Sequence, residues 1–458
     1  MFETRHNSFV SGFFLLVLLR TLIRDLMMAD KREYDKCLDA MYALGRFGIV
    51  LGLSTMQSIL EKLGNPQNDF KCIHISGTNG KGSVASSLSN ILSTAGYKTG
   101  LYTSPHLVSF NERFCINGKQ VTDDDIIEAY KGVEAVNNGE RSATFFEIST
   151  AMAFYLFSSM NVDYAVIETG MGGRLDATNI VNPVLSIITN ISVEHKAYLG
   201  GTLAEIAGEK AGIIKANTPV VTGAKQKAAV SVIEAKAKEM SAPLYKFRSN
   251  FKVRRVDKEG RFTFYGIKNT WQNVETKLLG NHQVDNASLV LAACEVLIET
   301  EGLDLSEDII KKGLLTTSWP GRLEVVSDSP LTIVDGAHNL VAIRKLTEYL
   351  KTAFSGRKIT LVTGVLDDKS YTTMFKCILP VCSRVVITEA KSERSIPSET
   401  LVVAAKKYIS DTTVIKDIPE AIQFAENASE EEDVICISGS LYVVGEAKEF
   451  FQNRVQQP

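Results

Sequence analysis

The chain has 458 residues, with 50 Lys and Arg against 53 Asp and Glu for a formal net charge of −3, and is 45% hydrophobic. That length exceeds one ordinary domain and suits two or three, each with its own core; the near-neutral charge argues against a nucleic-acid footprint, which needs a clustered excess of Lys and Arg. The Cys at positions 37, 72, 115, 294, 377, 382 and 436 form no C-x-x-C pair, so a reducing, cytoplasmic setting is expected rather than a disulfide framework or a zinc site.

Residues 13–19 are an apolar run of seven, far short of the roughly 20 that span a bilayer. Arg20, Arg24 and Asp25 follow where a cleavage site would need small residues. Met27 and Met28 stand just before a helix-like stretch that begins near Lys31, so residues 1–28 read as an extension or a misread start. Further on, residues 70–76 (FKCIHIS), 163–168 (DYAVIE), 184–189 (VLSIIT) and 219–222 read as buried strands, short β-rich runs closed by turn residues. Helices lie between them, with starts at Thr122, followed by Asp123, Asp124 and Asp125, and at the capping box Thr202-Leu-Ala-Glu205. This alternation predicts βαβ units and a largely parallel sheet covered on both faces. Residues 251–277 break the rhythm, alternating about Lys258-Glu-Gly260, and predict an inserted β-hairpin. Helices over 283–299 and 306–315 come next, then Trp319-Pro-Gly-Arg322 as a linker. Beyond it, strands at 332–335, 358–363, 384–388 and 434–438 with a helix at 340–354 predict a second, smaller doubly wound domain. The expected fold is α/β: a mostly parallel-sheet domain over 29–318, followed by a smaller Rossmann-like α/β domain over 319–458.

The sharpest chemical signal is Gly77-Thr-Asn-Gly-Lys-Gly-Ser83, which follows an apolar strand and opens a helix over 84–95. Glycines there let successive N–H groups turn toward phosphate oxygens, and the helix start adds a favourable dipole. Lys81 can neutralise the β- and γ-phosphates, and Ser83 can offer a hydroxyl. The spacing departs from G-x-x-x-x-G-K-[ST], since Gly82 intervenes before Ser83; the bland alternative is a Gly-rich turn without a ligand. Glu168 ends a predicted strand ahead of Thr169-Gly-Met-Gly-Gly173. In open α/β sheets the ligand crevice lies outside the carboxyl ends of the strands, and a carboxylate there suits Mg²⁺, against the alternative of a solvated acid. Taken alone, His195 reads as a structural hydrogen-bonder more than a ligand, and Lys210 as part of a solvated helix face. Asp335 closes a strand before a helix, where an acid either receives a ribose hydroxyl or caps the helix. With Arg322 in the linker, both domains would grip one nucleotide at their interface.

These segments stand in order with Leu44-Gly-Arg-Phe-Gly48, Thr103-Ser-Pro-His-Leu107, Asn111-Glu-Arg113, Thr144-Phe-Phe-Glu147 and the run 170–179 (GMGGRLDATN). Glu209-Lys-Ala-Gly212, Asn281-His-Gln283 with Asn286, Asp335-Gly-Ala-His-Asn339 and Ser438-Gly-Ser440 complete the set. Together they resemble the Mur ligase superfamily and, within it, the dihydrofolate synthase/folylpolyglutamate synthase family, from about residue 34 to 446.

The resemblance implies an ATP-dependent ligase that joins a pteroate or folate carboxylate to L-glutamate through an acyl phosphate. By position it implies that Thr78, Asn79, Gly80, Lys81, Gly82 and Ser83 hold the ATP phosphates and that Asn286, Arg322 and Asp335 complete the ATP site. Ser104, Glu168 and His195 would bind magnesium, with two Mg²⁺ sites expected. Lys210 matches a lysine that the family carbamylates, and joins Lys81 and His195 as the expected catalytic set. The pterin would lie against Thr144, Phe145, Phe146, Glu147, Leu175, Asp176 and Ala177, with Ser54 and Ser440 contributing. Glu194 replaces an Asp, Leu340 a Pro, and Leu53-Ser-Thr55 lacks a charged pair; none of these is a metal or phosphate ligand. The implied partners are dihydropteroate or a reduced folate and L-glutamate, with no nucleic acid and no membrane. Nothing demands an interface, so a monomer is expected. One rival is another Mur-type ligase, acting on a peptidoglycan precursor; it needs an N-terminal uridine-nucleotide domain, for which the phosphate loop starts too early. The other is a nucleotide-binding module without ligase turnover, which has no need of Glu168, His195 and Lys210 together. No motif decides whether the first glutamate goes onto dihydropteroate or further ones onto folates.

Overall fold

The computed structural model describes residues 31–44, 50–139, 141–256 and 260–456. The stretch read as an extension, the Gly45–Gly48 part of the first family segment and most of the Lys258–Gly260 turn lie outside them. Residues 31–44 are helical, as the sequence predicts.

Strands β1 (Lys71–Ser76), β2 (Thr99–Tyr102), β3 (Phe114–Ile116), β4 (Lys119–Gln120), β5 (Tyr164–Glu168), β6 (Pro183–Ile188), β7 (Val220–Thr222) and β8 (Leu244–Lys246) form one sheet in the order β4-β3-β2-β5-β1-β6-β7-β8. Pairing is parallel throughout except at the β2–β3 and β3–β4 edge. Apart from Lys71, every residue of β1 and β5 is buried. Such continuous apolar strands need cover on both faces. On one side Ile73 and Ile75 pack with Val84 and Leu88 of the helix Lys81–Thr94 and with Val290 and Leu297 of the helix Asn281–Glu301. On the other, Cys72 and Ile167 meet Met152 and Phe154 of the helix Phe145–Ser159. Burial of one such side chain stabilises by about 1.5–3 kcal/mol, so packing on both faces holds the central strands in place. The helices that start at Thr122, Thr144 and Thr202 each carry a complete capping box, which fixes the entry of the chain into them.

The predicted hairpin is instead a three-stranded antiparallel sheet of β9 (Lys252–Arg255), β10 (Phe262–Tyr265) and β11 (Thr270–Val274). A two-stranded ribbon is marginal in water; β11 adds Trp271 and Val274 to the apolar face that Phe262 and Phe264 turn toward the long helix Asn281–Glu301. The buried Glu295 carboxylate of that helix accepts the N–H groups of Ile267, Lys268 and Asn269 at 2.6, 3.3 and 2.7 Å, which forms the β10–β11 turn.

The third sheet comprises β12 (Glu324–Asp328), β13 (Leu331–Asp335), β14 (Ile359–Thr363), β15 (Arg384–Ile387), β16 (Thr412–Val414) and β17 (Val434–Ser438), ordered β12-β13-β17-β14-β15-β16. Only β12 runs antiparallel to its neighbour. Separate apolar clusters lie on its two faces, one under the helix Leu340–Ala353.

Candidate active site

A cleft of about 690 Å³ opens where loops following β1, β5, β6 and β7 meet loops following β13, β14, β15 and β17. Both sheets present their carboxyl ends to it, the position at which open α/β sheets bind ligands. Lys81, Glu168 and Asp335 all line it, as do the other predicted phosphate-loop residues, Ser104, His195, Asn286, Arg322 and Ser440.

The phosphate loop leaves β1 at Ser76, whose hydroxyl donates to the Gly172 carbonyl at 2.6 Å. Gly80 is the N-cap of the helix Lys81–Thr94, in the left-handed region at φ +84. A Cβ there would also come within 2.7 Å of Asn286 Oδ1, and one on Gly82 would overlap the Trp319 ring. Glycine is therefore required for backbone conformation at one position and for close packing at both. The first-turn N–H groups of this helix have no intrahelical partners and face an open cleft, as an anion site requires. Lys81 Nζ lies back over the loop, donating to Gly77 O at 3.0 Å, with Glu168 Oε1 3.9 Å away. Ser83 Oγ accepts from Gln283 Nε2 at 3.2 Å, and Gln283 Oε1 accepts from Asn286 Nδ2 at 2.8 Å, so the loop is braced by the long helix.

Glu168 is buried at the end of β5. Burial raises its pKa, with Lys81 acting in the opposite direction. Its carboxylate accepts from Ser104 N at 3.3 Å, and the neighbouring Thr169 hydroxyl is buried without a partner among the described residues. An under-satisfied carboxylate beside hydroxyls is an oxygen donor set of the kind Mg²⁺ takes. His195, at φ +45, caps a short helix, Lys196–Leu199; burial holds its pKa below the usual range, leaving a ring nitrogen lone pair free at neutral pH. Among the described residues no three His, Cys, Asp or Glu side chains converge on one point, so a metal here would draw on Ser104, a phosphate oxygen or a modified lysine as well.

Lys210 does not lie on a solvated helix face. It is 1% exposed, beneath the phosphate loop, donating to Gly77 O at 2.8 Å and to Glu194 Oε1 at 3.0 Å. Burial brings its pKa down to about 8, against the pull of Glu194. Burial also disfavours the Glu194 anion, but Lys210 and Lys81 more than offset that and hold it below the ordinary range.

On the facing side, Asp335 is buried, its Oδ2 accepting from Leu323 N and its Oδ1 from Ala337 N, both at 3.0 Å. It braces the loop after β13 and keeps lone pairs for a ligand. The predicted pterin wall lies elsewhere. Thr144 and Glu147 are bound to one another in a capping box, Glu147 also pairs bidentately with Arg141 at 2.7 and 2.9 Å, and neither lines the cleft. Asp176 caps the turn Ala177–Ile180 and accepts from Met171 N at 2.9 Å. Leu175 and Ala177 belong to the same loop and also lie outside the lining, as does Phe145, which stacks on Tyr42 at 5.5 Å. Phe146 backs Gly170, which does line the cleft.

Sequence reasoning missed Lys369, Arg394 and Lys225 in this lining. All three follow strand ends, of β14, β15 and β7, so the crevice rule applied to every strand would have found them. Asp368 joins the first two, 2.7 Å from Lys369 Nζ and 2.8 Å from Arg394 Nη2.

The Mur ligase middle domain matches residues 75–294, and the Mur ligase glutamate ligase domain matches residues 321–441. The dihydrofolate synthase/folylpolyglutamate synthase of Bacillus subtilis is 35% identical, the alignment covering 88% of this chain and 95% of that one. The chain belongs to the dihydrofolate synthase/folylpolyglutamate synthase family of Mur ligases. With the family comes its enzyme class, the ATP-dependent carboxylate–amine ligases. Among solved family structures, Mycobacterium tuberculosis folylpolyglutamate synthase with ADP and AMPPCP superposes with TM-score 0.85 at 32% identity, covering 92% of this chain and 99% of that one. Escherichia coli FolC in complex with DHPP and ADP gives TM-score 0.84 at 29% identity, covering 92% and 98%.

Proposed function

We propose that this enzyme uses ATP to phosphorylate the carboxylate of a dihydropteroate or reduced folate and then joins it to L-glutamate, in the cleft between the two large sheets. The observation that carries this reading is the single cavity shared by Lys81, Glu168 and Asp335, drawn from both sheets. A carboxylate resists attack by an amine because it is charged and has no leaving group; γ-phosphoryl transfer supplies one, leaving the protein mainly to position the groups and neutralise charge. Lys81 and the first-turn N–H groups would cradle the phosphates, with Asp335 and Arg322 toward the ribose. The dihydropteroate or folate would enter past Gly170, and Lys369 and Arg394 would face the carboxylates of the glutamate.

Ser104 and Glu168 would hold one Mg²⁺, and Glu168, His195 and carbamylated Lys210 a second; bound there, the metal supplies charge neutralisation at the transferred phosphoryl group. Carbamylation would convert Lys210, whose Nζ lies 3.0 Å from Glu194 Oε1, from a cation into an anion. Two carboxylates that close repel one another unless a cation lies between them, which supports a metal at this point.

We read the domain boundary at Ser318–Trp319, the enzyme as a monomer, because its cleft is complete within one chain, and its setting as cytoplasmic, where ATP and reduced thiols prevail. The test is turnover of purified protein with dihydropteroate and tetrahydrofolate in parallel, following ADP and glutamate incorporation. Incorporation with either acceptor is expected, and none with both would overturn the reading.

A further inference from the structure

Asn79 and Asn339 belong to the loops after β1 and β13, one from each large sheet, and they meet across the cleft. Asn339 is the N-cap of the helix Leu340–Ala353: its Oδ1 accepts from Ala342 N at 2.9 Å, and its Nδ2 donates to Asn79 Oδ1 at 2.9 Å. The backbone of Asn79 is equally held. Its N–H donates to Asn190 Oδ1 at 3.1 Å, and its carbonyl accepts from Thr189 Oγ1 at 2.8 Å and Asn190 Nδ2 at 2.6 Å. One group remains unmatched. Asn79 Nδ2 is buried, belongs to a residue lining the cleft beside Lys81, and has no acceptor among the described residues. A buried donor of this kind costs free energy until something supplies an acceptor.

We propose that Asn79 and Asn339 form a polarised relay that presents an N–H to a phosphate oxygen of the bound nucleotide and ties nucleotide binding to the seating of the second sheet. The proposal rests on the nucleotide reading of the phosphate loop. An amide is asymmetric, and turned over it would aim a carbonyl oxygen at the phosphate. The chain of bonds forbids that. Ala342 N can only donate, so Asn339 must offer it Oδ1; Asn339 then offers Nδ2 to Asn79, which must answer with Oδ1 and is left with Nδ2 as its unmatched group. A helix cap in one lobe thereby sets the sign of a phosphate contact in the other. Because coupling between sites is reciprocal, a nucleotide that engages Nδ2 also favours the Asn79–Asn339 bond.

The test is calorimetric binding of AMPPCP to the full chain and to Asn339→Ser, whose hydroxyl still caps the helix but is too short to reach Asn79. Loss of one neutral hydrogen bond's worth of orientation should weaken binding about five- to tenfold. Asn79→Ala should weaken it by at least as much, and the double variant should be no weaker than Asn79→Ala alone, since the two act as one unit. Amide exchange at residues 341–343 should slow on adding AMPPCP to the parent and not to Asn339→Ser. Unchanged affinity in Asn339→Ser, or losses that add in the double variant, would overturn the relay. Asn339→Asp, which keeps the cap and removes the donor, repeats the test should the serine variant melt early without nucleotide. Lys81→Ala separates the two levels: if it binds AMPPCP as tightly as the parent, the phosphate-loop reading falls and the relay with it; if it loses binding while Asn339→Ser does not, only the relay falls.

Discussion

At pH 7 a lysine whose pKa lies near 8 is neutral about one-tenth of the time, whereas one at 10.5 is neutral in roughly one molecule in three thousand. Only the neutral amine adds to CO₂, so carbamylation of Lys210 in the metal-free enzyme is expected to climb as pH rises from 7 to 9. The readout is ¹³C incorporation from labelled bicarbonate, and occupancy that stays flat over this range would contradict the carbamate role. Lys210→Ala is expected to lower ligation at least about a hundredfold while AMPPCP affinity changes less than about threefold. Lys81→Ala should abolish both, because its ammonium would make charge-assisted contacts to the phosphates. Lys81 was legible from its neighbours, since glycines around a lysine at a helix start have few other uses. Lys210 was not, because the Gly77 carbonyl that accepts from it belongs to the phosphate loop, 133 residues away in the chain.

The capping box at Thr144 bears on the pterin wall that the resemblance implies. Glu147 accepts from Thr144 N at 2.8 Å and pairs with Arg141, so Glu147→Ala should lower stability by about 1–3 kcal/mol. The Michaelis constant for the pterin substrate should then move less than about twofold; a large change with an unaltered melting point would return Glu147 to the substrate wall. β1 makes a pH-dependent contribution through His74, which burial drives down to about 3 and whose Nε2 meets Thr178 Oγ1 at 2.8 Å. The unfolded chain, with its histidine near 6.5, binds the extra proton first. Stability from this residue is therefore complete above pH 6.5 and is lost toward pH 3, by up to about 1.4 kcal/mol per unit. His74→Asn should flatten the fall in melting temperature between pH 7 and 5, and an unchanged slope would show that His74 is not the source. Element types were readable from β-rich runs and threonine caps. β11 was not, because the Gly266-Ile-Lys-Asn269 turn, closed locally by Gly266 N on Asn269 O, is also held by the distant Glu295.

The α/β class, with two large sheets, could be read from the alternation of strands and helices. Strand order could not, since β5 lies between β2 and β1 through crossovers that no local pattern encodes. With the nucleotide's proposed contacts split between the two large sheets, adding ATP and a pterin substrate should compact the molecule in small-angle scattering; an unchanged radius of gyration would argue against closure. Trp319 has one more use. Its indole packs on Gly82, next to the loop lysine, while the only other tryptophan, Trp271, is buried in the small sheet. Replacing Trp271 with phenylalanine would leave a single tryptophan beside the phosphate loop, so that occupancy of the loop could be followed by tryptophan fluorescence, with no dye attached.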